Sequence, residues 1–246
     1  ACLSHCWGKK GAALQLTPDT VDTLRSGVAR AELPKTFRDA AEIFEKLGIH
    51  FLWIDAMCIA QDNLEDWASA ASVMADIYEG AYLTIAATSS NNSNGGCFSR
   101  FRNRIRDFGS GNTMTDWPLL RRGWVCQERR LSTRVIHYAK DQLFWECDTA
   151  FHSESDPQDW TSGDRGTLKN LHDDPGQSWR SLVEIYSRLK FTKKGDHLPA
   201  LAGIVEREAR RRKDDTYVAG MWRNTLLDDL GFSPSRRRVY IASVTS

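Results

Sequence analysis

The alternation of apolar and polar positions divides the chain into punctuated segments. "ACLSHCWG" is a short apolar stretch closed by Gly8 and predicts a buried strand; "GAALQLTPDTVDTLRSG" predicts a loop and then a helical turn. "LPKTFRDAAEIFEKLG" sets Phe37, Ala40, Ala41, Phe44 and Leu47 at helical spacing between Pro34 and Gly48, a start and a stop signal. "IHFLWIDAMCI" follows as a continuous apolar run rich in β formers, the pattern of a buried central strand. "NLEDWASAASVMADIYEGA" returns to helical spacing with Trp67, Ala71, Met74, Ile77 and Tyr78 on one stripe, and "YLTIAAT" predicts the next strand.

Three strands alternating with two helices over short connections predict an α/β fold with a parallel sheet covered on both faces. Ligands of such sheets bind beyond the carboxyl ends of the strands. His5, Cys6 and Trp7, the stretch from Asp55 to Gln61 and that from Thr88 to Asn94 then share one rim. "RVIHYAKDQLFWEC" predicts a hairpin turning at Lys140 and Asp141. Residues 152–177, rich in Asp, Ser, Gly and Pro, predict a surface excursion, and the remainder, including "TYVAGMWRNTLLDDLGF", a mostly helical portion. We expect one domain over residues 1–246, with an α/β core in 1–150 and the excursion and helical part in 151–246. The apolar start leads us to expect a segment upstream, and the loss of pattern at 100–116 and 232–240 leads us to expect segments missing there.

A chain of 246 residues with 41% hydrophobic content can bury a core. A formal charge of +1 supplies no global field for nucleic acid or an anionic membrane. No apolar run reaches the roughly 20 residues needed to span a bilayer, so a cytoplasmic protein without a membrane role is expected. The six cysteines are too scattered for a disulfide scaffold, and the contexts of Cys58 and Cys147 predict buried free thiols. Cys2, His5 and Cys6 sit close enough to suggest zinc, but the chain offers no second CxxC or HxxxH pair, and we assign no metal and no bound cofactor. No GxGxxG or Walker loop is present, which disfavours Rossmann and P-loop chemistry. The basic runs "REARRRKDD" and "SRRR" lack interleaved aromatics, which disfavours nucleic acid.

The ordered set "LSHCWG", "LPKTFRDA", "LWIDAMCIAQD", "MADIYEGA", "RRGWVCQERRLS", "FWEC", "WRSLVEIYS", "DHLPALAGI" and "YVAGMW" resembles the fungal heterokaryon-incompatibility (HET) domain along nearly the whole chain. The resemblance implies a fold similar to Toll/interleukin-1 receptor (TIR) domains: a flavodoxin-like, mostly parallel sheet flanked by helices, here with a β-hairpin and a helical C-terminal portion. It also implies a cytoplasmic effector of nonself recognition and programmed cell death, fused to a sensor module and acting in oligomers.

Enzymatic TIR domains carry a catalytic glutamate four residues after a tryptophan, in a W-C-x-x-E pattern. Trp124 and Glu128 have that spacing, while the cysteine is displaced by one to Cys126. The implied chemistry is NAD glycohydrolysis, with NAD as substrate and Glu128 stabilising the oxocarbenium character of the ribose. From the residues alone, Glu128 reads first as a surface carboxylate paired with Arg121, Arg122, Arg129 or Arg130; only the resemblance sets the active-site reading level with it.

Asp55, at the end of an apolar run, is the second catalytic candidate, or else a structural acceptor for the following loop. Ser4, Trp7, Gln61, Trp124 and Arg122 are the ligand-binding candidates. Trp7 reads as a stacking wall or a core plug, Arg122 as an anion clamp, and Gln61, with Asp62, as a helix cap or ligand contact. His137 and His197 read as structural. Two further readings stay open: a non-enzymatic signalling module acting by homotypic assembly, and a small-metabolite enzyme on the HET scaffold.

Overall fold

A computed structural model describes residues 1–98, 117–161 and 174–231; the patternless stretches at 100–116 and 232–240 lie outside the described residues. The strands are β1 Cys2–Ser4, β2 Thr84–Ala86, β3 Arg134–Tyr138, β4 Leu143–Cys147, β5 Ala150–Ser153, β6 Asp156–Thr161, β7 Tyr217–Val218 and β8 Met221–Trp222. The α-helices are α1 Val21–Ser26, α2 Lys35–Lys46, α3 Asp55–Cys58, α4 Leu64–Gly80, α5 Gly123–Leu131, α6 Pro175–Tyr186, α7 Pro199–Arg211 and α8 Leu226–Gly231.

The sheet runs in sequence order from β1 to β6. Its first half is parallel, with Leu3 opposite Ile85 and Ile85 opposite Ile136. Its second half is an antiparallel meander that begins with the expected hairpin, His137 facing Phe144 across a turn that contains Lys140 and Asp141. The α/β architecture read from the sequence is the one observed. Strand alternation sorts β1 onto two cores: Cys2 packs with Met74, Tyr78 and Cys126, and Leu3 with Phe37, Phe44 and Ile85. Helix α2 therefore covers one face of the parallel half, and α4 and α5 the other.

Three segments depart from expectation. The apolar run at 49–59 is no central strand. Trp53 alone bridges Cys2, at the outer edge of β1, with Trp53 N–H donating to the Ala1 carbonyl (2.8 Å) and Leu3 N–H to the Trp53 carbonyl (3.0 Å). Asp55 then opens α3, and Phe51 is 86% exposed. A continuous apolar run carries no periodicity, so it does not separate a buried strand from an edge contact followed by a helical turn.

Residues 152–161, read as part of a surface excursion, instead belong to the meander as the end of β5 and β6, each strand pairing the edge that the one before it leaves, while residues 162–173 of that excursion lie outside the described residues. Residues 217–222, read as helical, form the β7–β8 hairpin. Ala219 and Gly220 both take positive φ (49° and 102°), the conformation of a tight hairpin turn.

Helix α5 is fixed from several sides. Gly123 N–H donates to the Lys190 carbonyl (2.9 Å), Arg129 binds Glu146 of β4, and Arg130 Nη2 donates to Glu208 of α7 (3.0 Å). Gly203 of α7 lies where a Cβ would stand 2.6 Å from the Ala75 Cβ, so α7 approaches α4 and α5 backbone-close. A Cβ on Gly123 would fall 1.9 Å from the Phe191 ring. Gly123→Ala is expected to cost about 1–3 kcal/mol in urea unfolding, since the ring must leave its place.

Candidate active site around Glu128

Ser4 ends β1, and its position in the strand aims its side chain at α5. Its hydroxyl donates to Glu128 Oε2 at 2.5 Å. Both residues are buried, 3% and 5% exposed. The charges expected to neutralise Glu128 at the surface go elsewhere. Arg129 and Arg130 pair with Glu146 and Glu208, and Arg122 donates to the His5 carbonyl. No cation forms an ion pair with Glu128 among the described residues, so the surface-pair reading is not the arrangement found.

A carboxylate in that position resists ionisation. Burial, and then the charge of Asp55, push the Glu128 carboxyl up to about 7, against the opposing pull of Arg122, the Ser4 hydrogen bond and the Tyr78 hydroxyl. Tyr78, wholly buried on α4, faces this carboxylate without a hydrogen bond of good geometry, and its phenol is raised by burial and by Glu128. The sequence placed Tyr78 on the buried stripe of α4 but gave no sign of its neighbour. The signal was present only in the combination of a buried helix with a rim carboxylate.

Asp55 stands at the N-terminus of α3. Its Oδ2 accepts from Trp7 Nε1 (2.9 Å) and its Oδ1 from the Ala56 amide (2.7 Å), while His5 Nδ1 lies 3.6 Å from Oδ1. Asp55 thus holds its own loop, the structural role open to it, and its charge acts on Glu128. His5 is 2% exposed, packs edge-on to Phe37 at 4.9 Å, and has no hydrogen-bond partner on either ring nitrogen. Burial lowers its pKa, which keeps the ring neutral.

The third rim stretch also arrives where expected: a Cβ on Gly8 would stand 2.9 Å from the Asn92 Cβ, so the loops after β1 and β2 lie side by side.

The ligand-binding candidates separate. Ser4 and Trp7 belong to the cluster, and Arg122 reaches it through His5. Trp124 lies one turn before Glu128, but its indole N–H donates to Asp196 (3.1 Å) and its ring meets Trp67 edge-on at 6.0 Å. Gln61 directs its amide to the carbonyls of Ile59 (2.6 Å) and Asp55 (3.2 Å), and Asn63 rather than Gln61 or Asp62 caps α4.

The cysteines correct an expectation: Cys58 is exposed and Cys147 half-buried. Burial pushes the thiols of Cys2, Cys6 and Cys126 up to about 12, 11 and 11, so none is a ready thiolate. Among the described residues no three His, Cys, Asp or Glu side chains are grouped to hold a metal ion, and no helix is long and apolar enough to cross a membrane. His137 is structural as read: its Nε2 lies 2.9 Å from Glu146 Oε2.

No curated protein and no solved structure matches the chain significantly. Residues 1–115 match the family model described as Heterokaryon incompatibility protein (HET). That span holds Ser4, Trp7 and Asp55, and it ends before α5 brings Glu128 to them. Over residues 1–115, then, the chain is similar to the heterokaryon-incompatibility (HET) family.

Proposed function

We propose that this protein is a HET-family effector of nonself recognition and programmed cell death whose Glu128 hydrolyses the nicotinamide–ribose bond of NAD. The observation that carries the reading is a buried carboxylate at the sheet rim, hydrogen-bonded by Ser4, near Asp55, and free of an ion-paired cation among the described residues. The C–N bond breaks with its electron pair leaving on nicotinamide, and the cationic ribose is stabilised by the Glu128 carboxylate. Water adds at the anomeric carbon and releases a proton, so NAD+ and water give nicotinamide, ADP-ribose and H+. Asp55 adds negative charge to the same rim, and the Ser4 hydroxyl orients the acting oxygen.

The ionised form acts, and burial and Asp55 place its pKa at about 7. The rate is therefore expected to rise as pH increases through 7 and to level off above it. Purified protein incubated with NAD, with nicotinamide followed by chromatography, tests the reading; absence of release at high protein concentration, in assembled samples as well, removes it.

A second reading, homotypic assembly without catalysis, draws on Phe51 and Tyr82, exposed at 86% and 68%. It expects concentration-dependent oligomers and toxicity that survives Glu128→Gln.

A further inference from the structure

We propose that the Tyr78 hydroxyl is a second hydrogen-bond donor to Glu128, a positioning residue that together with Ser4 holds both oxygens of the carboxylate in its ionised, acting form. This rests on the reading of Glu128 as the reacting carboxylate.

Strand alternation brings the three residues together. Cys2 and Ser4, two apart in β1, point to the same face of the sheet. On that face Cys2 packs with Tyr78 of α4 and Cys126 of α5, and the Ser4 hydroxyl donates to Glu128 Oε2 at 2.5 Å. Packing fixes the direction of Tyr78: the residue is wholly buried, and its ring stands edge-on to Trp53 at 5.5 Å.

Two groups on this face are short of partners. Ser4 is the one donor to the Glu128 side chain among the described residues, and it serves a single oxygen. The Tyr78 hydroxyl is buried and makes no hydrogen bond of good geometry. A buried hydroxyl without a partner costs a fold stability, and its hydrogen turns about the C–O bond to meet an acceptor. A protonated carboxyl is a weak acceptor; an ionised one draws the hydroxyl into a charge-assisted bond. The Tyr78 hydroxyl accordingly favours the charged form of Glu128, while burial and then Glu128 hold the phenol's own proton on. Tyr78 therefore acts as a donor only.

The other groups facing Glu128 leave this contact as the one that responds to its ionisation. Asp55 at the start of α3 and Arg122 before α5 bring opposing charges. Cys2 and Cys6 of the first strand and its exit are raised to about 12 and about 11, so both stay neutral thiols near pH 7.

Tyr78→Phe keeps the ring and removes the hydroxyl. In carbon-13 NMR of glutamate-labelled protein, the Glu128 midpoint should move up from about 7 by about one pH unit or more, the worth of a hydrogen bond to an ion. The midpoint of the pH–rate profile for nicotinamide release should move with it, so that release at pH 7 falls about fivefold. Because the variant loses a contact made to the ionised form, its loss of melting temperature should be larger at pH 9 than at pH 5. A hydroxyl with a merely structural role would lower the melting temperature equally at both and leave the Glu128 midpoint in place; either result overturns the proposal.

A second readout uses the wild-type fold. In tyrosine-labelled protein one Cζ resonance should titrate with the Glu128 midpoint and cease to titrate in Glu128→Gln; absence of such a resonance overturns the proposal even if Tyr78→Phe fails to fold. If the Glu128 midpoint moves in Tyr78→Phe but neither protein cleaves NAD, the Tyr78 contact stands and the glycohydrolase reading falls.

Discussion

At pH 8, Glu128→Gln is expected to melt roughly 5–10 °C above the wild type while releasing no nicotinamide from NAD. Loss of activity usually accompanies loss of stability; here the two move oppositely because the site holds a charge that folding disfavours. The folded carboxyl, at about 7, keeps its proton more tightly than the unfolded one at 4.5. Its contribution to stability is complete below pH 4.5 and is lost as pH rises through 7. Above that, the ionised form costs the fold about 3 kcal/mol, a cost glutamine lacks.

Glutamine still offers Ser4 an acceptor oxygen, so the local packing is kept. The advantage of the variant should shrink toward pH 4.5, the ordinary value for this group, and urea unfolding at the two pH values reads it directly. A variant less stable than the wild type at pH 8 would mean that Glu128 is a structural ion-pair member after all.

The opposite behaviour is expected at Glu146. Glu146→Gln should destabilise the protein by about 3–5 kcal/mol, without any stabilisation at high pH. Burial alone would raise this carboxyl, but Arg129 and His137 outweigh it and hold the group far below the usual carboxylate range. The contacts are short: Arg129 Nε at 2.6 Å, Arg129 Nη2 at 3.0 Å and His137 Nε2 at 2.9 Å. Because the folded pKa is depressed, the pair's contribution is present above pH 4.5 and is lost as acid protonates Glu146. Neighbouring residues of one helix thus differ in kind: Arg129 and Arg130 are structural charges, and Glu128 is the uncompensated one. Chemical denaturation of the two variants in parallel separates them by sign.

The periodic helices were legible from local pattern. Phe37, Ala40 and Phe44 of α2 are buried as their spacing predicts, and Leu47, just past the helix end, is 53% exposed. On α4, Met74 and Tyr78 are buried on the expected stripe. The hairpin at Lys140 and Asp141 and the three converging rim loops were legible for the same reason: turn chemistry and strand ends are local properties.

What stayed hidden depends on partners distant in sequence. Whether the apolar residues near Trp53 lie at the centre or the edge of the sheet depends on what β1 pairs with on its other side, which is β2. The meander strands β5 and β6 carry little apolar pattern, and each forms on the edge left open by the strand before it, β5 on β4 and β6 on β5.

The site shows the same division. The W-x-x-x-E spacing marked Glu128, but the arginine pairs on either side made a surface ion pair the favoured reading of the residues alone. That reading fell because Arg129 and Arg130 meet Glu146 and Glu208, seventeen and seventy-eight residues further along the chain. Ser4 as the donor to Glu128, 124 residues apart, is likewise a product of the β1–α5 packing.

The most direct measurement is the titration of the Glu128 carboxyl itself, by carbon-13 NMR of glutamate-labelled protein with Glu128→Gln to assign the resonance. Half-protonation near pH 7 is the predicted result, for a buried carboxylate raised by its burial and by Asp55. Half-protonation at the ordinary glutamate value of 4.5 would contradict the account, because such a carboxylate is solvated or ion-paired.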